Sequence, residues 1–336
     1  MQIICTTCTF SYDMSMFSHK IQSIISQSSH RLWLSIASIA LIGLIIGLTF
    51  LWSNQVTTLT DRNQAASTKI LVSIEPYRSL VAQLIGPDLD DQFLIELITP
   101  PGVEPHDYEL TLADRLNLEN SDLILVNGRG LEPYLETIKA KPKQKLLVAA
   151  EALAAPVNQS LADDPHLWLD PTNLSSVLKE LTQALIIIRP DLAERLKEQE
   201  QATDLSIAEL DQEFKTGLSR CLRPRFITTH QAFAFLAARY QLEQLGMAGL
   251  TPEAEPTAEE LTSLTATIKA RGDQAIFIEP LSTNRAALTL ARNLNLKILT
   301  LNPIEARTAD ETAANQDYFD LMRQNLTNLR QGLGCE

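Results

Sequence analysis

The sequence predicts an α/β protein. Two lobes, each a mainly parallel four-stranded sheet flanked by helices, are joined by one long rigid helix and preceded by an N-terminal transmembrane or signal-anchor helix. Three observations predict this. Short apolar runs alternate with amphipathic helical stretches in both halves, the pattern of parallel sheets covered on both faces. Residues 191–219 contain no Pro, and no Gly before Gly217. Residues 32–53 (LWLSIASIALIGLIIGLTFLWS) carry no charge over the ~20 residues that a bilayer core requires.

Lys20 and Arg31 precede the apolar run, so the positive-inside rule puts residues 1–31 in the cytoplasm as a disordered tail and the rest outside. The run is long for a signal-peptide core, and no small-x-small cleavage site follows it. No cysteine follows it to accept a lipid. An uncleaved anchor is therefore expected, with residues 54–68 as a tether and the protein held in the periplasm or on the outer face of the cytoplasmic membrane.

The first lobe is expected at 69–172. Residues 69–74 (KILVSI) read as a strand. Residues 75–86 read as a helix, with Tyr77, Leu80, Val81 and Leu84 on one face and Gly86-Pro87 as its stop. A strand at 93–98, a helix at 111–120, a buried strand at 123–126, a helix near 131–140 and a strand at 145–149 follow. Residues 173–220 are helical. Pro190 interrupts them, and the helix after it, roughly 29 residues, would span about 43 Å, enough to connect two lobes. The second lobe is expected at 221–336, with strands at 225–228, 242–246, 275–278 and 297–301. Its helices fall at 232–240, 257–271, 282–294 and 310–332. Thr257 and Glu260 form a capping box.

The chain has 336 residues, 45% hydrophobic and 21% charged, an ordinary globular composition. Its net charge of −13 gives no basic face for nucleic acid. Four cysteines are present. Cys5 and Cys8 form a lone CxxC in the tail, weak evidence for metal or redox chemistry. Cys221 and Cys335 both fall in the exported part, where an oxidising compartment suggests one disulfide.

Of five histidines, His19 and His30 precede the apolar run. The exported part holds His106 in PGVEPHDYEL, His166 in DDPHLWLDP and His230 in FITTHQAF. Each follows a strand or a Pro-containing loop. In parallel sheets, ligands bind beyond the carboxyl ends of strands. A lone loop histidine is more often an ordinary polar residue, but three imidazoles with a fourth oxygen donor complete a zinc tetrahedron. Their wide separation excludes a zinc finger and requires the fold to gather them.

The segments PGVEPHDYEL, DPHLWLDP, TTHQAFAFLAARYQL and IFIEPLSTN resemble those of the zinc and manganese solute-binding proteins of ABC transporters, the ZnuA/TroA cluster, over roughly residues 69–333. The resemblance implies two α/β lobes joined by a long helix, with metal between them. His106 and His166 would come from the first lobe and His230 from the second. The cargo would be Zn²⁺, with Mn²⁺ as the alternative, passed to a permease and its ATPase by a monomeric binding protein. A histidine at the third position favours zinc. Relatives carry an aspartate where Asn302 stands here, so the fourth ligand is open among Asn302, Glu104 and water. Glu279 would orient a histidine through its second nitrogen. The His-rich loop of many zinc importers is absent from EALAAPVNQSLADD. An adhesin of the same fold and a zinc hydrolase are the alternatives. The hydrolase is disfavoured because HExxH, GxSxG and phosphate-loop motifs are lacking.

Overall fold

In both halves the strands are short, most of them apolar, and they pair in the same pattern. The computed structural model describes residues 67–153, 161–250 and 256–336. The expected tail with its CxxC, the apolar run and nearly all of the tether lie outside the described residues. No helix among the described residues is long and apolar enough to cross a membrane.

The first sheet contains β1 (Thr68–Val72), β2 (Phe93–Leu97), β3 (Leu123–Val126) and β4 (Lys145–Val148), in the order β2-β1-β3-β4. The second contains β5 (Arg225–Thr228), β6 (Glu243–Gly246), β7 (Ala275–Ile278) and β8 (Lys297–Thr300), in the order β6-β5-β7-β8. Every pairing is parallel. All four residues of β3 are buried, as expected for a strand covered on both faces. In each sheet the first strand in sequence sits between the second and the third. Chain direction across the sheet therefore reverses beside β1 and beside β5, which opens a crevice at their carboxyl ends.

The helix Glu75–Ile85 starts with Pro76 near its N-terminus and stops at Gly86, whose φ of 71° suits glycine. Asp170 caps the helix Pro171–Ile188 by accepting from the Thr172 amide. The helix Ala193–Leu218 has 26 residues, about 39 Å at 1.5 Å per residue. It packs against the helices Glu75–Ile85 and Pro171–Ile188 and also against Tyr318–Leu333 of the second half. One apolar cluster is continuous from Ile70 and Tyr77 through Trp168 and Phe214 to Phe226, Phe277 and Tyr318. Residues 67–336 accordingly form a single unit. Cys221 and Cys335 are joined by a disulfide, which ties the chain end to the segment after the long helix.

The helix expected near 131–140 is absent. A single 3₁₀ turn, Leu135–Thr137, stands there. Gly128, Arg129 and Gly130 all have positive φ, and the Glu132 carboxylate accepts from the amides of Asn127 and Gly128. That carboxylate folds the strand exit back on itself. Pro133 and Pro142 bracket too little chain for a stable helix.

Candidate metal centre

Each candidate side chain lies in a segment that follows a strand. His106 lies in the 3₁₀ turn Pro105–Asp107 after β2. His166 lies in the segment after β4, immediately before the turn Leu167–Leu169. His230 follows β5 by two residues, and Glu279 directly follows β7. The segment after β8 supplies Glu305.

The three imidazoles are buried and adjacent. Ring centroids are 5.5 Å apart for His106 and His166 and 5.4 Å apart for His166 and His230. Glu305 is also buried. Its Oε1 lies 3.1 Å from His166 Nε2 and 3.8 Å from His106 Nε2. One ligand atom from each of His106, His166 and Glu305 fits within a 4.8 Å cluster. The Nε2 atoms of all three histidines and Glu305 Oε1 are buried without a hydrogen-bond partner. Unsatisfied buried polar atoms are costly, and nitrogen and carboxylate donors of these types are ones that a bound cation would satisfy.

The outer nitrogens explain the orientation. His166 Nδ1 is 2.8 Å from Asp164 Oδ1, and the same oxygen accepts from the His166 amide at 2.9 Å. Nδ1–H is thereby directed to the carboxylate, which leaves Nε2 facing the centre. His230 Nδ1 lies 2.7 Å from Glu279 Oε1, although the angle falls short of a hydrogen bond. Glu279 is itself fixed by the Thr229 hydroxyl and the His230 amide. Burial opposes charge on the His166 ring, but the Asp164 and Glu305 carboxylates outweigh it and push its pKa up to about 9. Burial likewise opposes ionisation of Glu305, yet His106 and His166 hold its carboxyl well below the usual range.

The remaining candidates are placed differently. Glu104 lines a cavity of about 200 Å³ together with Glu279, Asn302, Pro303 and Glu305, but it is not in the cluster of ligand atoms. Asn302, considered from sequence as a fourth ligand, has its side chain committed elsewhere. Its Oδ1 accepts from the Ile304 amide at 2.8 Å and its Nδ2 donates to Glu311 at 2.9 Å. Asn302 shapes the turn, and the carboxylate that reaches the histidines comes from Glu305, a residue that sequence reasoning passed over. Its available signal was an acid soon after a strand end, the same placement that singled out His230.

The family described as zinc-uptake complex component A, periplasmic (ZnuA), matches residues 70–332. The chain belongs to this family. The zinc-binding protein AdcA of Streptococcus pyogenes serotype M6 is 28% identical over 312 residues, covering 85% of this chain and 59% of that protein. This chain therefore spans little more than half the length of those AdcA relatives. The high-affinity zinc uptake system protein ZnuA of Bacillus subtilis is 29% identical over 256 residues, covering 71% of this chain and 80% of that protein. Among solved structures, the Zn(II)-bound ZnuA-like domain of Streptococcus pneumoniae AdcA aligns with a TM-score of 0.68 at 28% identity. That alignment covers 80% of this chain and 99% of that one. The metal-dependent lipoprotein YcdH of Bacillus subtilis aligns with a TM-score of 0.70 at 27% identity, over 80% and 99% of the two chains.

Proposed function

We propose that this protein captures Zn²⁺ between its two sheets, with His106, His166, His230 and Glu305 as ligands, and delivers it to an ABC-type importer outside the cytoplasm. The observation that carries the reading is the buried cluster of one ligand atom each from His106, His166 and Glu305, with the His230 ring centroid 5.4 Å from that of His166 and its Nε2 also buried and unpartnered. Three imidazoles and one carboxylate suit tetrahedral Zn²⁺, whereas Mn²⁺ prefers sites richer in oxygen. Zinc is cargo here. The matched relatives are named for zinc binding and zinc uptake, which supports transport over hydrolysis. Glu104 and Glu279 line the approach to Glu305 and would draw a cation inward.

The test is calorimetric titration of the purified protein with Zn²⁺ and with Mn²⁺, alongside His230→Ala. Tight one-to-one zinc binding, weaker manganese binding and a large loss in the variant are expected. Equal binding of both metals, or an unaffected variant, would sink the assignment.

A further inference from the structure

Glu305 is presented by a turn that the local sequence does not favour. Ile304 is fully buried with φ of 64°, a left-handed conformation that a β-branched residue adopts only at a cost. Asn302 supports the turn from within by accepting the Ile304 amide. Three further contacts reach it from the first half of the chain. Trp168 Nε1 donates to the Pro303 carbonyl at 2.7 Å. The Glu75 amide donates to the Glu305 carbonyl at 3.4 Å. The Glu75 carboxylate, fully buried, lies 3.1 Å from Arg307 Nε.

Both first-half residues are themselves anchored. Glu75 receives a two-point contact from Arg78, at 2.8 Å each, and a bond from the Ser79 hydroxyl. Ser79 in turn accepts from the Tyr318 amide, and the Tyr318 hydroxyl donates to the Trp168 carbonyl. The turn is thus gripped at residues 303, 305 and 307 by a network that also holds the Trp168 end of the His166 segment.

We propose that Trp168, Glu75 and Arg307 clamp the strained turn 303–305 and so hold the Glu305 carboxylate against His106 and His166. They are positioning residues for retention of the cation, and the turn between them is the element that withdraws Glu305 when the clamp opens. This rests on Glu305 being a zinc ligand, as read above. The strain gives the turn a direction of relaxation. With the grip intact, Glu305 stays on the metal; with the grip released, Ile304 leaves the left-handed region and carries the carboxylate away.

The experiment is the rate of Zn²⁺ release from the full chain into excess chelator, followed by stopped flow. Variants are Glu305→Gln, Glu75→Gln, Trp168→Phe, and Glu75→Gln combined with Ile304→Gly. Glu75→Gln and Trp168→Phe are each expected to speed release about ten- to a hundred-fold, the usual effect of removing a residue that supports a metal ligand. Adding Ile304→Gly to Glu75→Gln is expected to recover most of that loss, because glycine occupies positive φ freely. A purely structural role for Glu75 predicts the reverse, since deleting a buried isoleucine side chain adds a cavity. If Glu305→Gln leaves release unchanged, the ligand assignment itself fails. If Glu305→Gln speeds release but Glu75→Gln and Trp168→Phe do not, or if Ile304→Gly brings no recovery, the clamp is wrong while the ligand stands. Should Glu75→Gln not fold, Trp168→Phe with and without Ile304→Gly gives the same decision.

Discussion

His166 is the most constrained of the three histidines, with Asp164 on one ring nitrogen and Glu305 near the other. With its pKa near 9 in the metal-free protein, the ring carries a proton at neutral pH that zinc must displace. Calorimetry at pH 7 in buffers of different ionisation enthalpy is expected to show about one proton released per zinc from this ring, falling toward zero above pH 9. The same shift has a consequence for folding. A histidine whose folded pKa exceeds its unfolded value of ~6.5 contributes stability that is complete below pH ~6.5 and lost as pH rises through about 9. The urea midpoint of metal-free protein is therefore expected to decline across that window, and a His166→Ala variant to lose this decline. The histidines were readable because only three fall after residue 66 and they follow strands or Pro-containing loops. Glu305 was not, because it is one of 41 acidic residues. The turn that brings it inward, with Ile304 at positive φ, has no local sequence signal.

The elements were largely legible, because most strands are short apolar runs and several helices carry their own start and stop. Thr257 and Glu260 form the expected capping box, with reciprocal bonds between side chains and amides. The segment 131–140 was misread because its apolar residues fall at helical spacing. The chain there is governed by the local capture of the Asn127 and Gly128 amides by Glu132, which periodicity does not report. Packing also depends on a residue that looks unremarkable in sequence. A Cβ at Gly332 in the helix Tyr318–Leu333 would stand 2.4 Å from the Phe277 ring and 3.1 Å from Leu299. Gly332→Ala should thus destabilise by about 1–3 kcal/mol through overpacking, although alanine is the better helix former by about 1 kcal/mol. Urea denaturation decides it, and a stabilised variant would show that the Phe277 ring yields.

At the scale of the molecule, an apolar cluster continuous between the two sheets holds them in a single unit, and a disulfide ties the chain end to the segment after the long helix. The bridge spans 114 positions, and loop closure of that length corresponds to about 4–5 kcal/mol of chain entropy, with 2–5 kcal/mol a usual loss. The double variant Cys221→Ser, Cys335→Ser is expected to lower unfolding free energy by that order in denaturant titration, with zinc stoichiometry unchanged. Cargo should act on the same equilibrium. Zinc at a thousand times its Kd stabilises by about 4 kcal/mol, so a chelator should lower Tm sharply, and should do so much less in His230→Ala. The sequence by itself determined the α/β class, the strand positions and the three histidines, because periodicity and rare residue types are local properties. The tertiary structure alone decided that His106, His166 and His230 converge. It alone decided that Glu305 rather than Asn302 faces them, and that Trp168 and Glu75 of the first half grip the turn that carries it. Those contacts join residues sixty or more positions apart, and only the packed core, not any local pattern, fixes their distances.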